Sequence, residues 1–264
     1  MKIVFAGAES KLYSGMLKEI GAENILQSAF YLRYKNQPNE DNFPFYLLDS
    51  GGFTARKQKK DIDVRQYIDF LNKYKVKYAF ELDVPCMKTT LQNRTLLKTH
   101  TDATIIPVYH LSSYLREDYR GLLDDMLADF DYVSLGGMAE GGRTDHKKKE
   151  KFFRYVFNKT RDKIKVHGLG VTASDTLKKY PFYSVDSTTW INSVKYGIYV
   201  EYKNGIVYQM YGPKTLSSKK NRRIDDMKIL NRDQNDIIKN NVQSFMKLEK
   251  FITDMWTKRG VKWN

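Results

Sequence analysis

Short apolar segments alternate with polar, helix-like stretches along the first four-fifths of the chain. Eight segments have the length and the aromatic and β-branched content of strands: KIVFAG, FYLLDS, YAFELD, TIIPVYH, YVSLGG, IKVHGLG, FYSVDS and GIVYQM. Stretches between them, such as VRQYIDFLNKYK and YRGLLDDMLADF, have the apolar spacing of amphipathic helices. This alternation predicts parallel βα units in an α/β fold, and eight strands in this length fit a (β/α)₈ TIM-like barrel. An open, doubly wound sheet is the alternative, although KIVFAGAES lacks the usual G-x-G-x-x-G.

The pattern changes after the eighth predicted strand. The segment PKTLSSKKNRR is polar and basic, and a long amphipathic helix is predicted after it. The apolar stripe of this helix consists of Ile238, Val242, Phe245, Leu248, Ile252 and Met255. We therefore predict a catalytic barrel over residues 1–212 and a basic helical extension over 213–264 that packs on the barrel.

Positive charge is concentrated in this extension. The 264-residue chain has 45 Lys and Arg against 31 Asp and Glu, a net charge of +14, and residues 213–264 hold 13 of the basic and 6 of the acidic residues. With 19 Tyr and 14 Phe, this predicts a polyanionic partner, most simply nucleic acid. The candidate phosphate contacts are Lys219, Lys220, Arg222 and Arg223, and a merely solubilising basic surface is the alternative.

Several classes of protein are excluded by the same sequence. No apolar run approaches the length of a membrane span. In the segment MKIVFAGAES, the apolar stretch is too short for that of a signal peptide. The single cysteine, Cys86, excludes a disulfide framework and a cysteine-rich zinc site. We therefore expect a cytoplasmic protein (in the host cytoplasm if phage-encoded) that needs no metal and no cofactor. Its oligomeric state stays open.

Polar residues and glycines recur at the ends of different predicted strands. They are Asp49, Asp83, His110, Gly136, Gly137, His167 and Asp186. In a parallel barrel, the C-terminal ends of the strands converge on one mouth, where active sites are built. The sequence therefore predicts one shared site, although a lone Asp after a strand is usually a helix N-cap.

The aspartates suggest acid–base and nucleophilic chemistry at a sugar or base. A carboxylate that attacks an anomeric carbon forms a covalent glycosyl intermediate, and a second carboxyl group handles the proton of the leaving group. Metal binding by the aspartates with His110 or His167 is the alternative. In the segment DSGGF, Gly51 and Gly52 would let backbone amides approach a flat ligand, and Phe53 would stack on it.

Five segments resemble, in the same order, the active-site motifs of tRNA-guanine transglycosylases. They are LLDSGGF, FELDVP, YVSLGGMAEGG, HGLGVTASDTL and SVDSTTW. They are most similar to the shorter phage and bacterial DNA-guanine transglycosylases of the DpdA type, which insert 7-deazaguanines into DNA. The segment YPFYSVDSTTW is the most specific, and the resemblance covers roughly Lys2 to Trp190.

The resemblance implies a role for each motif. Asp186 matches the nucleophile that attacks C1′, and Asp49 matches the aspartate that contacts the base and assists proton transfer. Asp83 is implied to read the N1–H and 2-amino edge of the guanine-like base. Phe53 and Leu169 are implied to stack on opposite faces of that base. The loops around the heterocycle are implied to contain Ser50, Gly51, Gly52, Gly136, Gly137 and Met138. His110 lies near a family glutamine that touches the base. His167 is included for its place at a strand end.

One departure from the family favours DNA over tRNA. Bacterial tRNA enzymes carry a zinc-binding Cys-x-Cys-x-x-Cys motif, and here Cys86 stands alone. The sequence thus predicts exchange of guanine in nucleic acid for a 7-deazaguanine, such as 7-cyano-7-deazaguanine, with DNA favoured. A tRNA-guanine transglycosylase, a carboxylate-dependent nucleoside or glycoside hydrolase, and a catalytically silent nucleic-acid-binding relative are the alternatives.

Overall fold

One parallel sheet organises the protein. The computed structural model describes residues 1–34, 36–138, 146–160, 164–191, 198–211 and 233–263. Nine strands in these ranges form the sheet: β1 (Lys2–Ala6), β2 (Asn24–Ser28), β3 (Phe45–Asp49), β4 (Tyr78–Phe80), β5 (Thr104–Ile106), β6 (Val108–His110), β7 (Tyr132–Gly136), β8 (Lys165–Gly168) and β9 (Ser184–Ser187). Their order is β5-β4-β3-β2-β1-β9-β8-β7-β6, and all neighbouring pairs are parallel.

The two edges of this sheet adjoin, so it has the shape of a nearly closed barrel. Edge strands β5 and β6 are separated in the chain by Pro107 alone, whose carbonyl accepts a hydrogen bond from Ser134 N at 2.8 Å. Beside this break, the buried Glu81 carboxylate accepts a hydrogen bond from Val108 N at 2.7 Å and pairs with Arg94 at 2.7 Å. The α/β fold is therefore compatible with a TIM-like barrel.

Helices follow most strands. They are α1 (Lys11–Ile20), α2 (Gly52–Lys57), α3 (Val64–Tyr74), α4 (Met87–His100), α5 (Leu111–Leu115), α6 (Glu117–Arg120), α7 (Leu122–Asp129), α8 (His146–Thr160), α9 (Ser174–Lys179) and α10 (Gln234–Lys258). The predicted helix in VRQYIDFLNKYK is confirmed as α3, and it begins after Asp63, whose side chain accepts a hydrogen bond from Arg65 N at 2.8 Å. No helix within the described ranges combines the length and the apolar character needed to cross a membrane.

Alternation along each strand divides the core into two layers. Residues such as Val4, Leu47, Phe80 and Val108 form the cluster inside the barrel, whereas their neighbours pack outward against the helices. On β3, Phe45, Leu47 and Asp49 share one face, because side chains two apart on a strand point the same way. Asp49 therefore lies at the C-terminal end of a face that begins with an aromatic ring.

One strand of the sheet was not predicted, and one predicted strand lies in a different sheet. Strand β2 was missed because Asn24, Gln27 and Ser28 give it a polar sequence, yet all its residues are buried. Its Gln27 amide donates to the Ala8 carbonyl at 2.7 Å, which satisfies the buried polar group. Segment GIVYQM, predicted as the eighth barrel strand, instead lies in β11 (Ile206–Tyr211), which pairs with β10 (Ile198–Lys203) in an antiparallel hairpin.

Helix α10 packs with its apolar stripe inward. Ile238, Val242, Phe245, Leu248 and Ile252 are buried. The helix contacts β1, β10 and α1, and Glu249 on it accepts a hydrogen bond from Ile3 N at 2.6 Å. Residues 212–232, which contain the predicted boundary between barrel and extension, lie outside the described residues.

Candidate active site

Three aspartates meet at the C-terminal ends of the barrel strands. Asp49 ends β3, Asp186 lies within β9, and Asp83 closely follows β4. The pKa of the Asp49 carboxyl is raised to about 7, first by burial and then by the negative charges of Asp83 and Asp186, while a hydrogen bond from Gly51 N opposes the rise. The structure thus brings the three predicted carboxyl groups into one site. An acid with a pKa near 7 is suited to both giving and accepting a proton at neutral pH.

One oxygen of Asp186 is held in place. Its Oδ1 accepts a hydrogen bond from Gly170 N at 2.9 Å and lies 3.2 Å from Nε2 of His167. Among the described residues, no group donates a hydrogen bond to Oδ2. The Asp186 side chain is therefore oriented through one oxygen, and the other has no protein partner in this part of the chain.

A buried relay of side chains lies behind Asp186. His167 is fully buried, and its Nδ1 is 2.6 Å from Oγ of Ser184, which is 2.5 Å from the hydroxyl of Tyr132. These residues lie on β8, β9 and β7, which are neighbours in the sheet. The register places His167 beside Ser184 and Ser134, so the strand pairing itself brings the groups together.

One direction of hydrogen bonding in the relay suits a neutral His167 ring. Burial raises the pKa of Tyr132 far above its usual value, so its hydroxyl keeps its proton and can donate it to Ser184. With Ser184 donating to Nδ1 of His167, the ring proton lies on Nε2 and points at Asp186. The opposite direction would set a bare ring nitrogen against a carboxylate, which is electrostatically unfavourable.

A cavity of about 560 Å³ opens beside Asp83. Its lining consists of Phe53, Arg56, Lys57, Asp83, Val84, Pro85, Met87, His110, Ser112, Ser113, Arg116 and Tyr119. Asp83 Oδ2 lies 3.0 Å from Nε2 of His110, and the Phe53 side chain is half-exposed. The predicted residues Phe53, Asp83 and His110 therefore line one cavity, whose volume suits a heterocyclic base.

Two glycines shape the walls of the site for steric reasons. Gly51 has φ +83°, and a Cβ there would lie 2.2 Å from Cβ of Phe30. A Cβ on Gly136 would lie 2.8 Å from Val108 and 3.0 Å from the His110 ring. Position 51 in the motif DSGGF thus requires glycine for its turn. Position 136 in the segment YVSLGG requires glycine so that His110 can pack against β7.

The other predicted binding residues have more varied positions. Gly52 begins α2, and Ser50 is buried, with its carbonyl accepting a hydrogen bond from Tyr34 at 2.8 Å. Gly137 lies next to His110, and Leu169 packs against the cluster inside the barrel. Met138 lines a second cavity together with Gly170, and Lys149 donates to the Met138 carbonyl at 3.0 Å.

His167 differs from its predicted role. We expected a substrate-binding residue, but the side chain is fully buried and both ring nitrogens face protein groups. A nitrogen with a protein partner has no remaining capacity to bind a substrate. His167 is therefore placed to act on Asp186.

Some functional groups were not anticipated. Lys57 and Arg116 line the cavity, although neither had been predicted to: Lys57 belongs to the basic run ARKQKK, and Arg116 directly precedes two acidic residues, Glu117 and Asp118. Ser184 and Tyr132 carry no sequence signal, because their pairing depends on strand register. The predicted phosphate contacts Lys219, Lys220, Arg222 and Arg223 lie outside the described residues.

Comparison with known proteins gives no family. No protein-family model matches the chain, and no curated protein matches it. Within the described ranges, no group of three or more His, Cys, Asp and Glu side chains has an arrangement that could hold a metal ion. The geometry of the site and the resemblance of its motifs are therefore the basis on which a function can be proposed.

Proposed function

We propose that this protein is a transglycosylase that exchanges guanine in nucleic acid for a 7-deazaguanine, with DNA as the favoured polymer. The observation that carries the proposal is the pairing of two unlike carboxyl groups. Asp186 has one oxygen held by Gly170 and His167, whereas Asp49 has a pKa raised to about 7. Retaining glycosyl transfer needs a nucleophilic carboxylate and a second carboxyl group that gives and accepts a proton.

The first half-reaction forms a covalent intermediate. Oδ2 of Asp186 attacks C1′ of the target nucleotide, a C1′–O bond forms, and the C1′–N9 bond breaks with its electron pair going to guanine. Protonated Asp49 gives its proton to the departing base. His167 stabilises the reacting carboxylate through Oδ1 and keeps Oδ2 directed at the sugar.

The second half-reaction reverses these steps with another base. Ionised Asp49 accepts the proton from N9 of the incoming 7-deazaguanine, and N9 attacks C1′. The C1′–O bond breaks, and Asp186 regains its carboxylate. Each half-reaction breaks one bond to C1′ and forms another, and the proton that Asp49 gives up in the first is regained in the second. The reaction therefore needs only these side chains and the incoming base.

The cavity supports recognition of a guanine-like base. The Asp83 carboxylate is an acceptor for the N1–H and 2-amino donors, and His110 sits beside it at 3.0 Å. Phe53 supplies an exposed ring for stacking, and the Leu169 side chain is proposed for the opposite face. The glycines at positions 136 and 137, with Met138, are proposed to present backbone groups to the heterocycle.

The finer architecture that we propose is a (β/α)₈ barrel. Strands β5 and β6, separated only by Pro107, then count as one interrupted strand, which pairs with β4 on one side and β7 on the other. A base inside a duplex would not reach the barrel mouth, so we propose that it is flipped out or already single-stranded, at a cost of a few kcal/mol. We place the reaction in the cytoplasm, where the nucleic acid is accessible.

The test offers matched DNA and tRNA to the protein together with an isotopically labelled 7-deazaguanine. A nucleoside digest analysed by mass spectrometry should show the label in DNA, with guanine released in equal amount. Label in tRNA alone would move the assignment to a tRNA-guanine transglycosylase. Guanine release without any incorporation would identify a hydrolase, which uses the same carboxyl groups with water as the acceptor.

A further inference from the structure

Basic and aromatic side chains alternate along the wall of the Asp83–His110 cavity. The Lys57 ammonium lies 4.2 Å from the centre of the Phe53 ring, and the Arg116 guanidinium lies 4.4 Å from that of Tyr119. All four residues line the same cavity. They come from α2 and from the segment around the start of α6, so two separate elements place a cation on an aromatic ring.

These two cations are not neutralised by the described part of the protein. No described carboxylate forms an ion pair with Lys57 or Arg116. By contrast, Lys98 and Lys159 pair with Asp129 and Asp124 on the outer surface. Lys57 and Arg116 are exposed, and two cations without a described ion-pair partner at one cavity attract an anion with a strength that falls as salt rises.

The chemistry of this wall points to a polynucleotide strand. Single-stranded nucleic acid is bound by basic groups along its phosphates and by aromatic rings on which its bases stack. An isolated phosphate would use the cations but not the rings. Both kinds of group are present here, beside the residues that we propose read the target base.

We propose that Lys57 and Arg116 form a phosphate-binding subsite that holds the strand next to the target nucleotide, with Phe53 and Tyr119 available for stacking. This inference rests on the proposed function, because it assigns the strand to the same cavity. It adds the residues that give the enzyme its affinity for the polymer, which the sequence had placed only in the segment around Lys219.

The test measures binding of a fluorescein-labelled single-stranded DNA by anisotropy across a series of salt concentrations. Lys57→Gln and Arg116→Gln should each weaken binding several-fold at low salt, and each should reduce the slope of log K against log salt by about 0.7. Lys165→Gln is the matched control, because the Lys165 ammonium lies 5.2 Å from the Tyr183 ring at the opposite end of the barrel. The control should leave the slope unchanged.

Two results would overturn the subsite. One is an unchanged slope in both Lys57→Gln and Arg116→Gln. The other is an equal loss of affinity in Lys165→Gln, which would mean a non-specific charge effect. Guanosine monophosphate is tested in parallel, and binding as tight as that of the DNA, with the same loss in the variants, would assign the subsite to a free nucleotide.

The proposed function is tested apart from this subsite by calorimetry with free guanine. Asp83→Ala should lose affinity for the base and keep the salt slope for DNA, whereas Lys57→Gln should reduce that slope by about 0.7. DNA binding that depends on Lys57 and Arg116, combined with no base exchange on any polymer, would retain the subsite and reject the transglycosylase. Base exchange by the parent protein, combined with an unchanged salt slope in Lys57→Gln and Arg116→Gln, would retain the transglycosylase and reject the subsite.

Discussion

The two ends of the barrel interior have opposite character. At the N-terminal end, four rings pack together: the Tyr132 ring lies 5.3 Å from Tyr183 and 6.4 Å from Tyr78, and Phe45 lies 6.0 Å from both Tyr78 and Tyr183. At the C-terminal end, the face of β3 that begins with Phe45 ends in Asp49, whose pKa is raised because it is buried near Asp83 and Asp186.

The difference separates stability from chemistry. Packed rings contribute favourable contacts, whereas buried carboxyl groups of like charge are unfavourable and are held in place by the surrounding fold. The Tyr132–Ser184–His167 relay connects the ends, because it begins on a packed ring and finishes on Oδ1 of Asp186. Changes at the C-terminal end should therefore affect exchange, changes in the relay should affect it partly, and changes at the packed end should affect mainly stability.

The largest expected effect is that of Asp186→Asn. An amide lacks the nucleophilic carboxylate, so exchange of radiolabelled guanine should fall by several orders of magnitude. The variant should fold normally, because the amide oxygen still accepts the hydrogen bond from Gly170. Asp125→Asn, an exposed aspartate on α7, is the control and should exchange at the parent rate.

Asp49→Asn should change both the rate and its pH dependence. Formation of the covalent intermediate needs protonated Asp49, so this step should slow as the pH rises through about 7 in the parent protein. The variant should be slow at every pH and lack this limb. Rapid-quench measurement of intermediate formation from pH 5.5 to 8.5 distinguishes the two pH profiles. The same decrease in rate near pH 7 in Asp49→Asn would assign that decrease to another group.

The same substitution should stabilise the fold at high pH. The folded protein holds the Asp49 proton more tightly than the unfolded chain, since the pKa rises from 3.8 to about 7. The parent therefore loses stability as the pH rises from about 4 to about 7, by at most about 4 kcal/mol. In denaturant unfolding, the free energy of unfolding of Asp49→Asn should rise relative to that of the parent as the pH increases from about 4 to about 7. A parent whose stability does not fall there would contradict the raised pKa.

The relay should have an intermediate effect. His167→Ala removes the donor to Oδ1 of Asp186, and loss of orientation at a reacting group reduces rates by up to about 10²-fold. Ser184→Ala should lower kcat less, because the ring stays in place but its tautomer is no longer fixed. The KM for DNA should stay near the parent value in both, and His167→Gln, which keeps an N–H donor, should recover part of kcat. A higher KM with parental kcat would instead make His167 a binding residue.

The smallest expected effect on exchange is that of Phe45→Ala at the packed end. Removal of this buried ring should destabilise the protein by about 3–5 kcal/mol, measured by denaturant unfolding. The kcat of the folded fraction should stay within about twofold of the parent, since the ring touches none of the proposed reacting groups. A loss of kcat as large as that of His167→Ala would show that the two ends are not separable.

Sequence reasoning recovered the features that depend on local pattern. Alternating strands and helices predicted the parallel α/β sheet, and aspartates placed just after apolar runs predicted the carboxyl cluster at one end. Strand β2 was not predicted because its sequence is polar: the Asn24 amide donates to the Ile3 carbonyl and the Gln27 amide to the Ala8 carbonyl, partners that are distant in the chain. Segment GIVYQM has the composition of a barrel strand, but Asn204 and Gly205, both with positive φ, form a two-residue turn that pairs it with β10 in a local hairpin.

Side-chain roles in the site were less predictable, because they depend on contacts between strands that are distant in the sequence. His167 has the position of a binding residue in the sequence, and only the register of β7, β8 and β9 reveals its contacts with Ser184 and Asp186. Likewise, the cavity position of Lys57 and Arg116 depends on where α2 and α6 begin. Sequence reasoning thus located the mouth of the barrel, whereas the structure supplied the partners of each group.

The most direct test of the account is the capture of the covalent intermediate. The protein is mixed with a guanine-containing DNA oligonucleotide in the absence of an incoming base, quenched with denaturant, digested with protease and nuclease, and mapped by mass spectrometry. The account predicts a mass added by the sugar–phosphate remnant on the peptide that contains Asp186, with guanine released and no adduct in Asp186→Asn. Base exchange at the parent rate in Asp186→Asn, or an adduct on another residue, would contradict it.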